Sequence, residues 1–80
     1  MVSTSTFKLD GMTFHLHPQV PAHQVRTIVN AEHVGESDDH IRNLIKERSK
    51  SWPPAVQDSA VHYALHVHRA NQELVAQFRL

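Results

Sequence analysis

Residues 6–17 read TFKLDGMTFHLH, in which an Asp-Gly pair separates two runs of alternating apolar and polar side chains. Asp10 and Gly11 are among the residue types that most readily take the positive φ angles of a two-residue hairpin turn. Alternation with a period of two places the apolar side chains of each run on one face of a strand. The stretch therefore predicts a β-hairpin over 6–17 with its turn at Asp10-Gly11.

The two-residue turn also predicts which residues lie opposite each other in the hairpin. On the apolar face the predicted pairs are Leu9 with Met12, Phe7 with Phe14, and Ser5 with Leu16. On the polar face they are Lys8 with Thr13, Thr6 with His15, and Thr4 with His17. An isolated hairpin of this size is marginally stable in water. We therefore expect its apolar face to lie on helices formed by the rest of the chain.

A pair of helices is predicted within residues 21–50. Pro21 suits the first turn of a helix, and apolar residues follow it at helical spacing. Gly35 is a natural stop for that helix, and Ser37 can cap the next one by accepting a backbone N–H bond. The signals predict two short helices joined by a turn that contains Gly35.

A long C-terminal helix is predicted over residues 54–78, beginning after Pro53. Residues 60–68 also alternate between apolar side chains and histidines, as a strand would. The stretch lacks a turn signal through its alanine-rich continuation, which favours a helix. Together the segments predict an α+β fold, in which an N-terminal hairpin packs on three helices.

The segment 24–48 reads QVRTIVNAEHVGESDDHIRNLIKER. Ala31 is a small residue where two helices could cross, and Gly35 follows four residues later in the turn. The apolar face of the second helix comes after it, at Ile41, Leu44 and Ile45. In these positions the segment resembles the helix-turn-helix of phage repressor and Cro proteins and of small excisionase-type regulators.

This resemblance implies a sequence-specific DNA-binding regulator of phage or plasmid type that acts as a homodimer. The second helix would enter the major groove and present side chains to bases and backbone. Those side chains are Ser37, His40, Arg42, Asn43, Lys46 and Lys50. Two half-sites need two copies of the protein, and the long apolar C-terminal helix offers a surface for dimerisation.

The charge distribution favours a different class of function. Eight Lys and Arg balance eight Asp and Glu, so no overall basic field attracts nucleic acid. Asp38 and Asp39 begin the second helix and would repel phosphate. The alternative is a small phage-type inhibitor that binds and occludes a host protein without binding DNA.

Histidine is abundant, with eight residues in 80. His62 and His66 lie four apart on the predicted helix, with Asp58 four residues before them, and such spacing can hold a divalent metal ion. His15 and His17 similarly project from one side of a strand. No third ligand is set by either motif, so we expect no metal and keep His62 and His66 as the candidates.

Composition bounds the remaining possibilities. Eighty residues suffice for one domain, spanning 1–80. The absence of cysteine excludes a disulfide scaffold and a cysteine-based zinc or redox site. Without a signal peptide or a long apolar run, we expect a cytoplasmic chain with no membrane contact. No glycine-rich phosphate loop or nucleophile elbow is present, so we expect neither an enzyme nor a cofactor.

Overall fold

The structure is a computed structural model that describes residues 5–78. A hairpin leads into three helices, and the elements are β1 (Thr6–Leu9), β2 (Met12–His15), α1 (Ala22–Ala31), α2 (Asp38–Arg48) and α3 (Pro54–Phe78). The predicted α+β fold is confirmed. Residues 60–68 lie inside α3, so their alternation does not form a strand. None of the helices in this part of the chain is long and apolar enough to cross a membrane.

The register of the hairpin is confirmed. The four observed pairs are Thr6 with His15, Phe7 with Phe14, Lys8 with Thr13, and Leu9 with Met12. The backbone N–H of Leu16 donates to the carbonyl of Ser5 at 2.9 Å, which extends the pairing by one predicted pair. The pair of Thr4 with His17 lies outside the described residues. At the turn, Asp10 has a φ of 55° and Gly11 a φ of 79°, as a two-residue turn of this type requires.

The apolar face of the hairpin lies on α3, with one exception. Phe7 and Leu9 of β1 are buried, and the ring of Phe7 contacts Tyr63 edge-on with ring centroids 5.4 Å apart. Met12 lies on the same face but is 62% exposed. The exception arises because β1 is the strand that makes more contacts with α3, and Met12 begins the outer strand β2.

All the other elements pack against α3. The hairpin contacts it through both strands, and α1 and α2 each make their main contacts with it. Ala60 and Ala64 of α3 are fully buried, and such small side chains allow neighbouring helices to come close. The core is completed by buried side chains of the two shorter helices, which are Val25, Val29, Ile41 and Ile45.

The prediction that two helices cross at Ala31 is wrong. Ala31 is the last residue of α1 and is exposed to solvent. The apolar stripes of α1 and α2 are both buried on α3, so the small residues at helix contacts are Ala60 and Ala64 instead. A small residue at position 31 therefore does not serve close helix packing.

Gly35 lies in the turn between α1 and α2, as predicted, but α1 ends four residues before it. Helix α1 ends at Ala31, and within residues 5–78 Gly11 is the only glycine with a positive φ. The backbone N–H of Gly35 donates to Nδ1 of His33 at 3.0 Å, and a Cβ at position 35 would lie 2.9 Å from that nitrogen. Gly35 lies inside the turn closed by the bond from the backbone N–H of Glu36 to the carbonyl of His33 at 3.0 Å, and its lack of a Cβ leaves room there for the imidazole ring of His33.

Candidate docking cleft and the exposed side of α2

The N-terminus of α2 uses two of the six predicted DNA-contacting residues in local structure. Ser37 caps the helix, because its Oγ accepts the backbone N–H of His40 at 3.1 Å. The ring of His40 lies between two carboxylates of the preceding loop, with Nε2 3.3 Å from Glu32 and Nδ1 3.7 Å from Glu36. Both side chains therefore stabilise the junction between α1 and α2.

Two of the predicted basic residues form ion pairs with carboxylates of α2, one from within the helix and one from the turn that follows it. Arg42 pairs with Asp39 at 2.5 Å, and Lys50 pairs with Glu47 at 3.0 Å. Both are surface pairs between residues three apart, so each contributes little to stability but neutralises a cation locally. The basic character of α2 is correspondingly reduced.

The exposed side of α2 carries the remaining predicted residues. Asn43 and Lys46 are exposed, and their spacing of three places them on one side of the helix, while Lys50 is exposed in the turn that follows α2. Lys46 makes no ion pair with any carboxylate among residues 5–78. The structure thus brings together two of the six predicted residues, Asn43 and Lys46, on one side of α2.

Arg69 of α3 joins the N-terminus of α2 to the hairpin turn. Its guanidinium bonds to Asp38 at 2.7 Å and also pairs with Asp10. The hydrogen bonds to Asp38 and then to Asp10 raise the pKa of Arg69 above its usual value, so it stays charged. Asp38 therefore contacts α3 instead of being held toward an outside ligand. The sequence contains no signal for this contact, because its partners are 31 and 59 residues away.

The histidines considered as metal ligands lie in the contact between the hairpin and α3. The ring of His62 stacks on Phe14 with centroids 4.5 Å apart. His66 packs on Phe7 at 5.3 Å and donates from Nδ1 to the carbonyl of Lys8 at 2.8 Å. Within residues 5–78 no three His, Asp or Glu side chains are grouped as a metal site would require. The two rings thus help to hold the hairpin on α3.

An open cleft separates α1 from α2. The two helices are held by α3, and α2 runs antiparallel to it, since Asp38 contacts Arg69 and the carbonyl of Lys46 accepts a bond from Gln57. The side chains of α1 and α2 that turn toward each other leave a cavity of about 210 Å³ between them. Sequence reasoning missed this cleft, because it placed the two helices in direct contact at Ala31.

The walls of this cleft are apolar and its edge is polar. Val25 and Ile45 are buried, while Ile28 and Trp52 are only partly buried and therefore accessible from the cleft. The edge includes Gln24 of α1 and Arg48 of α2.

Arg48 is exposed and makes no ion pair with a carboxylate in the described part of the chain. The cleft can therefore receive an apolar group, and Arg48 can bind an acidic group beside it.

A search of protein-family models, of curated proteins and of solved structures finds no match to this chain.

Proposed function

We propose that this protein is a small protein-binding module, and that its partner inserts one apolar side chain into the cleft between α1 and α2. The observation that supports the proposal is the cleft itself, with accessible Ile28 and Trp52 on its walls. Its volume of about 210 Å³ is below the range of roughly 300–1,000 Å³ typical of small-molecule sites. A pocket of this size suits a single anchor side chain at the centre of a protein interface.

The edge of the cleft specifies the chemistry next to the anchor. Arg48 offers a planar guanidinium with five donors and no carboxylate partner among residues 5–78. A carboxylate beside the anchor would bind it in bidentate fashion. The partner segment therefore has an apolar residue at one position and an acidic residue near it. Binding of this segment would block the surface of the partner protein on which it lies.

The distribution of charge favours a protein partner over nucleic acid. The net charge is zero, and Arg42, Lys50 and Arg69 are each paired with carboxylates of the chain itself. A protein that binds nucleic acid draws most of its affinity from several cations that contact phosphates. Binding of a protein segment in an apolar cleft with one cation at its edge does not require an excess of cations.

Trp52 allows the proposal to be tested directly, because it is the only tryptophan and it lines the cleft. Peptides selected from a displayed random library against the 80-residue protein should share an apolar residue near Asp or Glu. Synthetic copies of these peptides should change Trp52 fluorescence on binding. Peptides in which Lys replaces the acidic residue should have an affinity lower by about tenfold or more. This is the difference expected for loss of a hydrogen bond to a charged group.

Two variants with matched controls locate the binding site. Ile28→Glu places a charge in the cleft and should abolish binding, whereas Thr27→Glu on the exposed side of α1 should not. Arg48→Glu should reduce affinity for acidic peptides, whereas Lys46→Glu should have little effect. Selection that yields no common motif, or peptides that bind equally well to Ile28→Glu and Arg48→Glu, would refute the proposal.

A second candidate function is a DNA-binding regulator of phage or plasmid type that acts as a homodimer. It is favoured by the exposed side of α2, where Asn43 and Lys46 are together accessible. Arg42 could join them by exchanging Asp39 for a phosphate, since that pair is on the surface.

A gel shift with fragments of the source genome separates the two candidates. A regulator should prefer its own site over other DNA by about a thousandfold or more. The double variant Arg42→Ala, Lys46→Ala should then fold normally and lose that binding. Retention of full DNA affinity in this variant would exclude α2 as the DNA-reading helix. If the protein prefers no DNA fragment, the regulator function is excluded and protein binding is the remaining candidate.

A further inference from the structure

The mouth of the cleft between α1 and α2 has one polar group on each side. Gln24 of α1 and Arg48 of α2 are both exposed, and both line the cavity of about 210 Å³. The amide of Gln24 takes part in none of the side-chain hydrogen bonds formed within residues 5–78, and Arg48 makes no ion pair there. A guanidinium and an amide are therefore both available to a ligand whose apolar part lies in the cavity.

Arg48 lies close to the apolar walls, because it lines the same small cavity as Ile28 and Trp52. An acid that reaches Arg48 must therefore be near the Cα of the residue whose side chain fills the cavity. In an extended segment the side chains next to that anchor point to the opposite side, and in a helix the nearest ones on the same face are three or four residues away. The α-carboxylate of a terminal residue, in contrast, is bonded to the same Cα as the anchor side chain.

Gln24 matches the second polar group of such a residue. The last residue of a peptide carries a carboxylate and a backbone N–H on one Cα. The guanidinium of Arg48 can donate to the carboxylate, and Oε1 of Gln24 can accept the N–H from the other side of the mouth. Ser49 also lines the cavity, but it is buried and donates its hydroxyl to the carbonyl of Ile45 at 2.6 Å, so it adds no donor.

The lining of the cavity distinguishes a peptide terminus from a free amino acid. A free amino acid has an ammonium group beside its carboxylate, and a protein site that encloses such a charge pairs it with an acid. No Asp or Glu of the described residues lines this cavity. The cavity therefore fits an uncharged amide N–H next to the carboxylate, and the last peptide bond of a chain supplies this group.

We propose that the cleft binds the carboxyl terminus of a partner chain whose last residue is apolar. The inference rests on the proposed function, since it requires that a protein segment occupies the cleft, and it assigns the acid beside the anchor to the anchor residue itself. A segment that continues past the anchor takes its acid from a second residue, and ordering that residue costs conformational entropy. A terminal residue supplies the apolar side chain, the acid and the N–H together.

Four forms of one synthetic peptide test the proposal. The first is acetyl-Gly-Ser-Gly-Ser-Leu with a free carboxylate, and the others end in a carboxamide, continue with two further glycines, or have Ala in place of Leu. Each is titrated into the 80-residue protein and followed by the fluorescence of Trp52, which lines the cavity. The free acid should bind, and each other form should have an affinity lower by about tenfold or more, because it loses the charge at Arg48 or the apolar contact.

Protein variants locate the contact with the carboxylate. Arg48→Gln should remove most of the difference in affinity between the free acid and the carboxamide, whereas Lys46→Gln, which removes a charge elsewhere on α2, should retain it. Gln24→Ala should weaken the free acid and the carboxamide by the same factor, since both forms have the N–H that it accepts. Circular dichroism should show unchanged helix content, because positions 24, 46 and 48 are exposed.

The possible failures of this proposal differ from a failure of the proposed function. Equal binding of the free acid, the carboxamide and the extended peptide would overturn the terminal assignment, and loss of that binding in Ile28→Glu would retain the cleft as a site for an internal segment. No binding of the free acid would also overturn it, while binding of library-selected internal peptides would keep the proposed function. Failure of both kinds of peptide would overturn both proposals. Equal effects of Arg48→Gln and Lys46→Gln would show that net charge, and not a contact at the mouth, controls binding, which also contradicts the assignment.

Discussion

Both halves of α3 carry apolar side chains at helical spacing, and they differ in what covers those side chains. From Pro54 to His68 the apolar side chains lie under α1, α2 and the hairpin, and Ala60 and Ala64 are fully buried. From Arg69 to Phe78 the same spacing continues with large apolar side chains exposed. A helical pattern therefore shows that an apolar face exists, whereas its burial depends on the neighbours that the fold supplies.

The largest expected difference between the halves is in their tolerance of added volume. Ala64→Leu should lower the free energy of unfolding by about 1–3 kcal/mol, because it overpacks a close helix contact. Ala70→Leu, on an exposed position of the second half, should change it by no more than about 0.5 kcal/mol. Urea unfolding followed by circular dichroism measures both. Equal losses would mean that the two halves are equally enclosed.

The hairpin turn tests how far the buried half depends on its cover. Gly11→Val should cost about 1–2 kcal/mol, because a β-branched residue resists the observed φ of 79°. Loss of the turn would loosen Phe7 and Phe14 from Tyr63 and His62, and so expose part of the buried half. Gly11→Asn tolerates this conformation and should retain most of the stability. A Gly11→Val protein that melts with the parent would show that the hairpin does not need this turn.

Arg69 stands at the boundary between the halves and holds two distant carboxylates. Its raised pKa keeps it protonated, and this contribution would be lost only as the pH rises through that raised value. Arg69→Met should cost about 0.5–1 kcal/mol, the range for partly exposed pairs. The loss should shrink in about 1 M salt, where surface charges are screened.

Arg42→Met is the matched control for Arg69, because Arg42 pairs with the single carboxylate of Asp39 on the surface. It should cost no more than about 0.5 kcal/mol. If the two variants lose the same stability, the bridge from α3 to the hairpin turn contributes nothing beyond an ordinary surface pair.

The smallest effect is expected at the end of α1. Ala31→Leu should change the free energy of unfolding by no more than about 0.5 kcal/mol, because Ala31 is exposed where α1 ends. A loss of about 1–3 kcal/mol would instead indicate the overpacked crossing of a helix-turn-helix. Thermal unfolding of this single variant therefore distinguishes the observed packing from the one that the sequence pattern predicted.

Local chemistry explains which features could be predicted. The hairpin register follows from the alternating pattern and from the two positive φ angles at Asp10 and Gly11, all within twelve residues. The cap at Ser37 is similarly a contact between residues three apart. The starts of α1, α2 and α3 agree with the signals at Pro21, Ser37 and Pro53, whereas α1 ends at Ala31, before the signal at Gly35.

The candidate sites were less predictable. The exposed positions of Asn43 and Lys46 follow from helical spacing. The cleft could not be predicted from local spacing, because it depends on α1 and α2 both lying on α3. The pairing of Arg69 with Asp10 and Asp38 is also invisible in the sequence, since nothing in a local pattern selects between partners 59 and 31 residues away.

The sequence by itself determined the hairpin, its register and the presence of three amphipathic helices, because turn preference, caps and periodicity act between near neighbours. Only the tertiary structure decided that Ala60 and Ala64, and not Ala31, lie at the helix contacts. It also decided that α1 and α2 leave a cleft and that Leu74 and Phe78 are exposed. The physical reason is that an apolar stripe can be buried against several surfaces, and the choice depends on how all the stripes pack together.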